Sequence, residues 1–138
     1  MSATSSPHVC PCGRTDTHQR ALAYSACCGK YHADFEGTPA PDAEALMRSR
    51  YSAFVLQNAP YLLATWHPSR RPATLEFDPG ARWLGLSVKA HQRLDASHAE
   101  VEFVARQRDT SGRATRLHER SRFVHEEGRW FYVDGDQF

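Results

Sequence analysis

Four cysteines stand in two tight pairs, Cys10-Pro11-Cys12 and Cys27-Cys28, and the chain of 138 residues has no others. Near-adjacent thiols at both ends of a short polar loop suit one tetrahedral zinc ion, which takes four thiolates at about 2.3 Å each. The surrounding segment, residues 8–36, is too poor in aliphatic residues to bury a core of its own. A metal would supply the folding energy that apolar burial there cannot. A disulfide or a redox pair is the competing reading. If Cys10, Cys12, Cys27 and Cys28 supply every ligand, the site is closed to water and substrate, and its role is structural. His8 and His32 are near enough in sequence to replace one sulfur, but each reads as an exposed loop histidine.

The rest of the composition is globular, with 41% apolar and 24% charged residues, and the length fits one domain plus a small appendage. Seventeen Lys and Arg against sixteen Asp and Glu leave +1, so no bulk field exists to hold nucleic acid or an anionic membrane. Within the first 36 residues Arg14, Arg20 and Lys30 offset Asp16, Asp34 and Glu36. A tetrathiolate zinc would leave that segment with about two negative charges, which weighs against phosphate binding. No apolar run approaches the roughly 20 residues that span a bilayer. Residues 1–8 lack the charged start and apolar middle of a secretory signal. The expectation is a cytoplasmic protein, where paired thiols serve as metal ligands or redox groups before structural disulfides.

Residues 1–7 read as a disordered tail, 8–36 as the cysteine knuckle, 37–41 (GTPAP) as a stiff linker and 42–138 as the main domain. Asp42 reads as the N-cap of a helix carrying Leu46, Met47, Arg50, Tyr51, Phe54 and Val55 on one stripe. Asn58 breaks it and caps a second helix that runs through Trp66 and ends at Pro68. Strands follow at 83–88, 100–107, 115–125 and 129–133, with turns at 109–112 and 126–128. On the third strand Leu117, Glu119, Ser121 and Phe123 share one face, and Arg116, His118, Arg120 and Arg122 the other. Two helices followed by an antiparallel meander predict an α+β fold, the helices covering one face of a curved sheet.

The blocks CPCG at 10–13 and CCG at 27–29 resemble the SEC-C motif, a small zinc knuckle also found at the end of the SecA translocation ATPase. LMRSRYSAF at 46–54, YLLATWHP at 61–68, HERSRF at 118–123 and RWFYVDG at 129–135 resemble the uncharacterised bacterial YchJ-like family. The resemblance covers nearly the whole chain. It implies a main domain of the nuclear-transport-factor-2-like type, a cone of curved antiparallel sheet and helices. It also implies zinc at the four cysteines and, by likeness to the SecA knuckle, a protein partner. The segment from Gly13 to Ala26 is longer than the motif's usual spacer, which bears on any partner surface kept there.

Within such a cone, Glu119 and Ser121 are polar residues on an otherwise apolar strand face, and burial of Glu119 would raise its pKa. Arg48 and Arg50 with Tyr51 form an anion clamp on one reading. On the blander one, Arg50 is a buried arginine paired with a carboxylate such as Glu119. His67, beside Trp66, is a general base or a histidine capping a helix end. Trp83, Trp130, Phe131 and Tyr132 read as core. The basic stripe of the third strand lacks the interleaved aromatics of a nucleic-acid surface and reads as solvated. No catalytic motif is recognised. The leading expectation is a zinc-binding module that binds a protein through the knuckle or a small molecule in the cone. The alternative is an isomerase, dehydratase or hydrolase working with the pocket candidates Glu119, Ser121, His67 or Tyr132.

Overall fold

The computed structural model describes residues 9–138; the expected tail and His8 lie outside the described residues. The knuckle opens with a small hairpin, bridged Val9 to Ala23 and Thr15 to Ala21. Its turn is held by Asp16, whose Oδ1 accepts from the backbone N–H of His18 and Arg20. The longer spacer between the cysteine pairs is therefore structured chain. A 3₁₀ turn at Tyr24–Ala26 leads into helix α1, Cys28–Ala33.

Helix α2 spans Ala43–Val55 and begins where Asp42 Oδ1 accepts from Ala45 N at 2.7 Å. Asn58 opens α3, Ala59–Ala64, by accepting from Tyr61 N. This second helix of the main domain ends earlier than the sequence expectation, and Pro68 is not what stops it. Thr65 bonds back to Tyr61 O, and the next residues join the sheet instead. Tyr132 N donates to Thr65 O, and His67 N donates to Tyr132 O. Sheet pairing supplies those backbone groups with partners that one more helical turn would have supplied.

Strands β1 (Arg82–Arg93), β2 (His98–Arg108), β3 (Ala114–Glu126) and β4 (Arg129–Gln137) form an open antiparallel meander in the order β1-β2-β3-β4. Glu127 and Gly128 join β3 to β4 with φ of 53° and 81°, the two left-handed residues of a type I′ turn. β1 runs five residues past its expected end because Ala90 to Arg93 pair with β2 although their exposed side chains show no apolar–polar alternation. β4 likewise continues, since Arg122 reaches across from β3 to Asp134 and Asp136. Register shifts in β1 and between β3 and β4 mark bulges, which bend strands and sharpen twist. The concave face so formed carries the predicted Leu117, Glu119, Ser121 and Phe123. On the opposite face His118 and Arg120 meet Glu102, so the basic stripe is largely neutralised.

The stripe read from α2 is only half of its buried surface. Ala45, Ser49, Ser52 and Ala53 are buried as well as Leu46, Met47, Arg50 and Tyr51. The helix lies between the knuckle on one side and the sheet on the other. The segment expected as a linker thus joins two packed parts, with Ala40 itself buried.

Asp42→Ala is expected to cost about 1 kcal/mol, lowering the thermal midpoint by a few degrees. Asp42→Asn keeps the acceptor and should retain most of that stability. Equal losses for the two would show that charge rather than capping matters at this position.

Candidate functional sites

The hairpin delivers Cys10 and Cys12, and the start of α1 delivers Cys27 and Cys28. All four are buried free thiols. Their sulfurs lie within 4.8 Å of one another, and Cys12 Sγ is 3.7 Å from Cys27 Sγ. A tetrahedral zinc with bonds of about 2.3 Å requires sulfur–sulfur edges of about 3.8 Å, so the donor set fits such an ion. Without a cation the sulfurs cannot all ionise. Hydrogen bonds from Cys12 and Cys28 hold the Cys10 thiol well below its ordinary range. The same contacts push Cys28 far up, and burial pushes Cys27 up to about 12. Crowded thiols with divergent acidities are what a divalent cation would equalise, displacing their protons.

The cysteines are fastened to α2. Cys10 Sγ contacts Ser52 Oγ at 3.6 Å, and Arg48, held by Glu44, donates to Cys12 O at 3.0 Å. His32 is no exposed loop residue. It sits on α1 with Nε2 2.8 Å from Ser49 O and Nδ1 2.6 Å from Tyr24 Oη. The carbonyl can only accept, so Nε2 carries the proton and Nδ1 receives the Tyr24 hydroxyl. Both nitrogens are committed, which leaves neither for a metal.

On its other side α2 borders a half-open cavity of about 240 Å³ with mostly aromatic and aliphatic walls, among them Tyr51, Phe54, Trp83 and Phe103. Trp83 and Phe54 line this cavity without plugging it, and Trp130 is buried elsewhere, edge-to-face with His125. The polar residues at the cavity are few. Glu119 is 8% exposed, and its Oε2 accepts from Ser121 Oγ at 2.6 Å and Tyr132 Oη at 3.2 Å. Gly135 permits this, because a Cβ there would stand 2.5 Å from Oε2. Burial and the neighbouring Glu119 charge push the Tyr132 phenol up.

Three of the four pocket candidates therefore meet, and His67 does not. Trp66 takes the cavity wall, while His67 binds Ser69 and Glu126 nearer the surface. Its position three residues past α3 also removes the helix-capping role.

The expected pairing of Arg50 with Glu119 is corrected too. Arg50 Nη1 donates to Leu62 O at 2.8 Å and Thr65 Oγ1 at 2.6 Å, and the guanidinium lies 5.0 Å from the Trp66 ring and 4.6 Å from the Tyr132 ring. Among the described residues no carboxylate comes within ion-pair distance of it. Tyr132 stands between the two charges, turning its face to one and its hydroxyl to the other. Trp66 Nε1 is a buried donor with no partner among the described residues, a deficit of about 1–3 kcal/mol.

Ser49, Ser52 and His32 carry the contact between knuckle and helix; the two serines escaped the sequence reading, and His32 figures there only as a loop histidine or substitute ligand. The detectable signal is the run of small residues Ala45, Ser49 and Ser52 at helical spacing, which permits close approach on the face opposite the apolar stripe.

Burial holds the His32 pKa below the ordinary 6.5. Below that value the unfolded chain takes up a proton that the native state refuses, so stability falls as pH drops from about 6.5 and is full above it. Zinc-loaded wild type should lose more stability between pH 7 and pH 5.5 than a His32→Gln variant, judged from urea midpoints. Parallel pH profiles would show that His32 is not the titrating group.

A family model described as the YchJ middle nuclear-transport-factor-2-like domain matches residues 42–135. A UPF0225 protein of Polaromonas sp. (strain JS666) is 66% identical over 127 residues, covering 92% of this chain and 91% of that protein. One from Bordetella parapertussis is 60% identical over 135 residues, covering 96% and 95%. The solution structure of a SEC-C motif containing protein from Rhodopseudomonas palustris superposes with a TM-score of 0.79 at 33% identity, covering 95% of this chain and 99% of that one. The crystal structure of a SEC-C motif containing protein from Psychrobacter arcticus gives 0.75 at 33% identity, covering 91% and 80%. Among the described residues no helix is long and apolar enough to cross a membrane. Matched across its main domain and nearly end to end by these relatives, the chain belongs to the YchJ-like family of UPF0225 proteins.

Proposed function

We propose that this protein is a zinc-stabilised small-molecule-binding module. A structural zinc on Cys10, Cys12, Cys27 and Cys28 holds the knuckle against α2, and the cone on the other side of α2 takes the ligand. The observation that carries the ligand reading is the Glu119 carboxylate. It is fixed by Ser121 and Tyr132 through one oxygen, while Oε1 makes no hydrogen bond among the described residues, at the wall of a largely apolar cavity. Orientation by a few polar groups within apolar walls is the usual make-up of a small-molecule site. A protein partner on the knuckle would meet its hairpin, because the sulfur side already faces α2.

The same convergence favours catalysis as a second reading, with Glu119 as general base for an isomerase- or dehydratase-type proton abstraction. Proton exchange into a bound carbonyl compound that falls about 100-fold or more in Glu119→Gln would support it. Binding without exchange would leave the module reading alone.

Protein purified without added metal should carry about one zinc per chain, with Cys12→Ser losing both metal and knuckle order. A stable intramolecular disulfide at cytosolic redox poise, with no bound metal, would replace zinc by redox chemistry. For the cavity, fragment screening by NMR on zinc-loaded protein should move the amides of Tyr51, Glu119, Ser121 and Tyr132 together. Shifts confined to other surfaces would refute the cavity as the binding site.

A further inference from the structure

The charges lining the cavity narrow its ligand class, granted the binding role proposed above. Arg50 is 5% exposed and projects from α2 to the cavity wall. One terminal nitrogen is consumed by Leu62 O and Thr65 Oγ1. Its Nε and Nη2 make no hydrogen bond among the described residues. Burial lowers its pKa only to about 10, so it remains charged at neutral pH. The Trp66 and Tyr132 rings, themselves edge-to-face at 5.3 Å, both lie against the guanidinium without offering it an anion. A buried cation is ordinarily matched by an anion or by further hydrogen bonds.

We infer that the cone binds a small apolar carboxylic acid carrying a hydroxyl group. Its carboxylate would rest on the free side of Arg50 and its hydroxyl would donate to Glu119 Oε1. A carboxylate suits the flat guanidinium fork, which can meet both of its oxygens. A phosphate suits the site less, because Glu119 adds a negative charge and the walls are aromatic and aliphatic. The hydroxyl follows from Glu119, whose uncommitted oxygen can only accept while the carboxylate is ionised. Tyr132, whose ring lies against Arg50 and whose hydroxyl bonds Glu119, takes the place of a direct ion pair between these two anchors. The size follows from the volume. About 240 Å³ lies below the roughly 300–1,000 Å³ of pockets for drug-sized ligands, which leaves room for one ring or a short branched chain beside the acid.

The test is calorimetric titration of the zinc-loaded full chain at neutral pH with 3-phenyllactate, 3-phenylpropionate, methyl 3-phenylpropionate and 3-phenylpropanol. The acid should bind about tenfold or more tightly than its methyl ester, and the hydroxy acid more tightly still. Arg50→Lys keeps a charge but loses the fork, and should erase most of the acid-over-ester preference. Glu119→Gln should erase the advantage of the hydroxy acid over the plain acid. Arg50→Met serves only if its melting transition matches wild type. Ester or alcohol binding as tightly as the acid would leave the cavity a ligand site and overturn its assignment to acids. Failure of all four at millimolar concentration, with no shift at cavity amides, would overturn the binding role as well.

Discussion

Four sulfurs packed within 4.8 Å, and away from water, form the constraint on which the rest of the architecture depends. Thiolates at that density would repel and lose hydration, so the arrangement is one that a cation at its centre could hold together. Their positions are also the means by which a short segment with few aliphatic residues acquires a fixed shape. The knuckle then needs only a few direct contacts to seat itself: Cys10 on Ser52, Arg48 on Cys12 O and His32 on Ser49 O.

All three contacts fall on one helix. α2 presents small and polar residues to the knuckle and Met47, Arg50, Tyr51 and Phe54 to the cavity. Arg48 and Arg50 illustrate the division. Two positions apart on a helix, they point to nearly opposite sides, one bracing the cysteine hairpin and the other entering the cone. The candidate metal centre and the candidate ligand site are thus built on the two faces of a single rigid element. Buried polar groups at both are held by specific partners, Ser49 by Tyr61 and Glu119 by Ser121 and Tyr132. These hydrogen bonds fix the side chains they join, while Glu119 Oε1 is left without a partner among the described residues.

Much of this was legible beforehand. The helix caps at Asp42 and Asn58, the turns at 109–112 and 126–128 and the inward face of β3 all follow from local rules of capping, turn chemistry and alternation. Family resemblance supplied the cone. Illegible features involved competition between distant segments. α3 stops early because Tyr132 takes the backbone groups of Thr65 and His67, and β1 runs long because β2 offers a ladder to side chains without alternation. At the site, Glu119 and Ser121 came together as their shared strand face implied, and Tyr132, read mainly as core, joined them from β4. His67 went elsewhere because the chain had already left the helix that would have aimed it.

By itself the sequence determined the cysteine quartet, the order of helices and strands and the side of β3 that carries Glu119, because spacing, caps and period-two alternation act over a few residues. Only the tertiary structure decided that the knuckle docks on α2, that Arg50 is separated from Glu119 by Tyr132, and that a cavity remains between them. Those outcomes rest on which of several available partners each buried polar group meets, and that choice is made by packing between segments far apart in the chain.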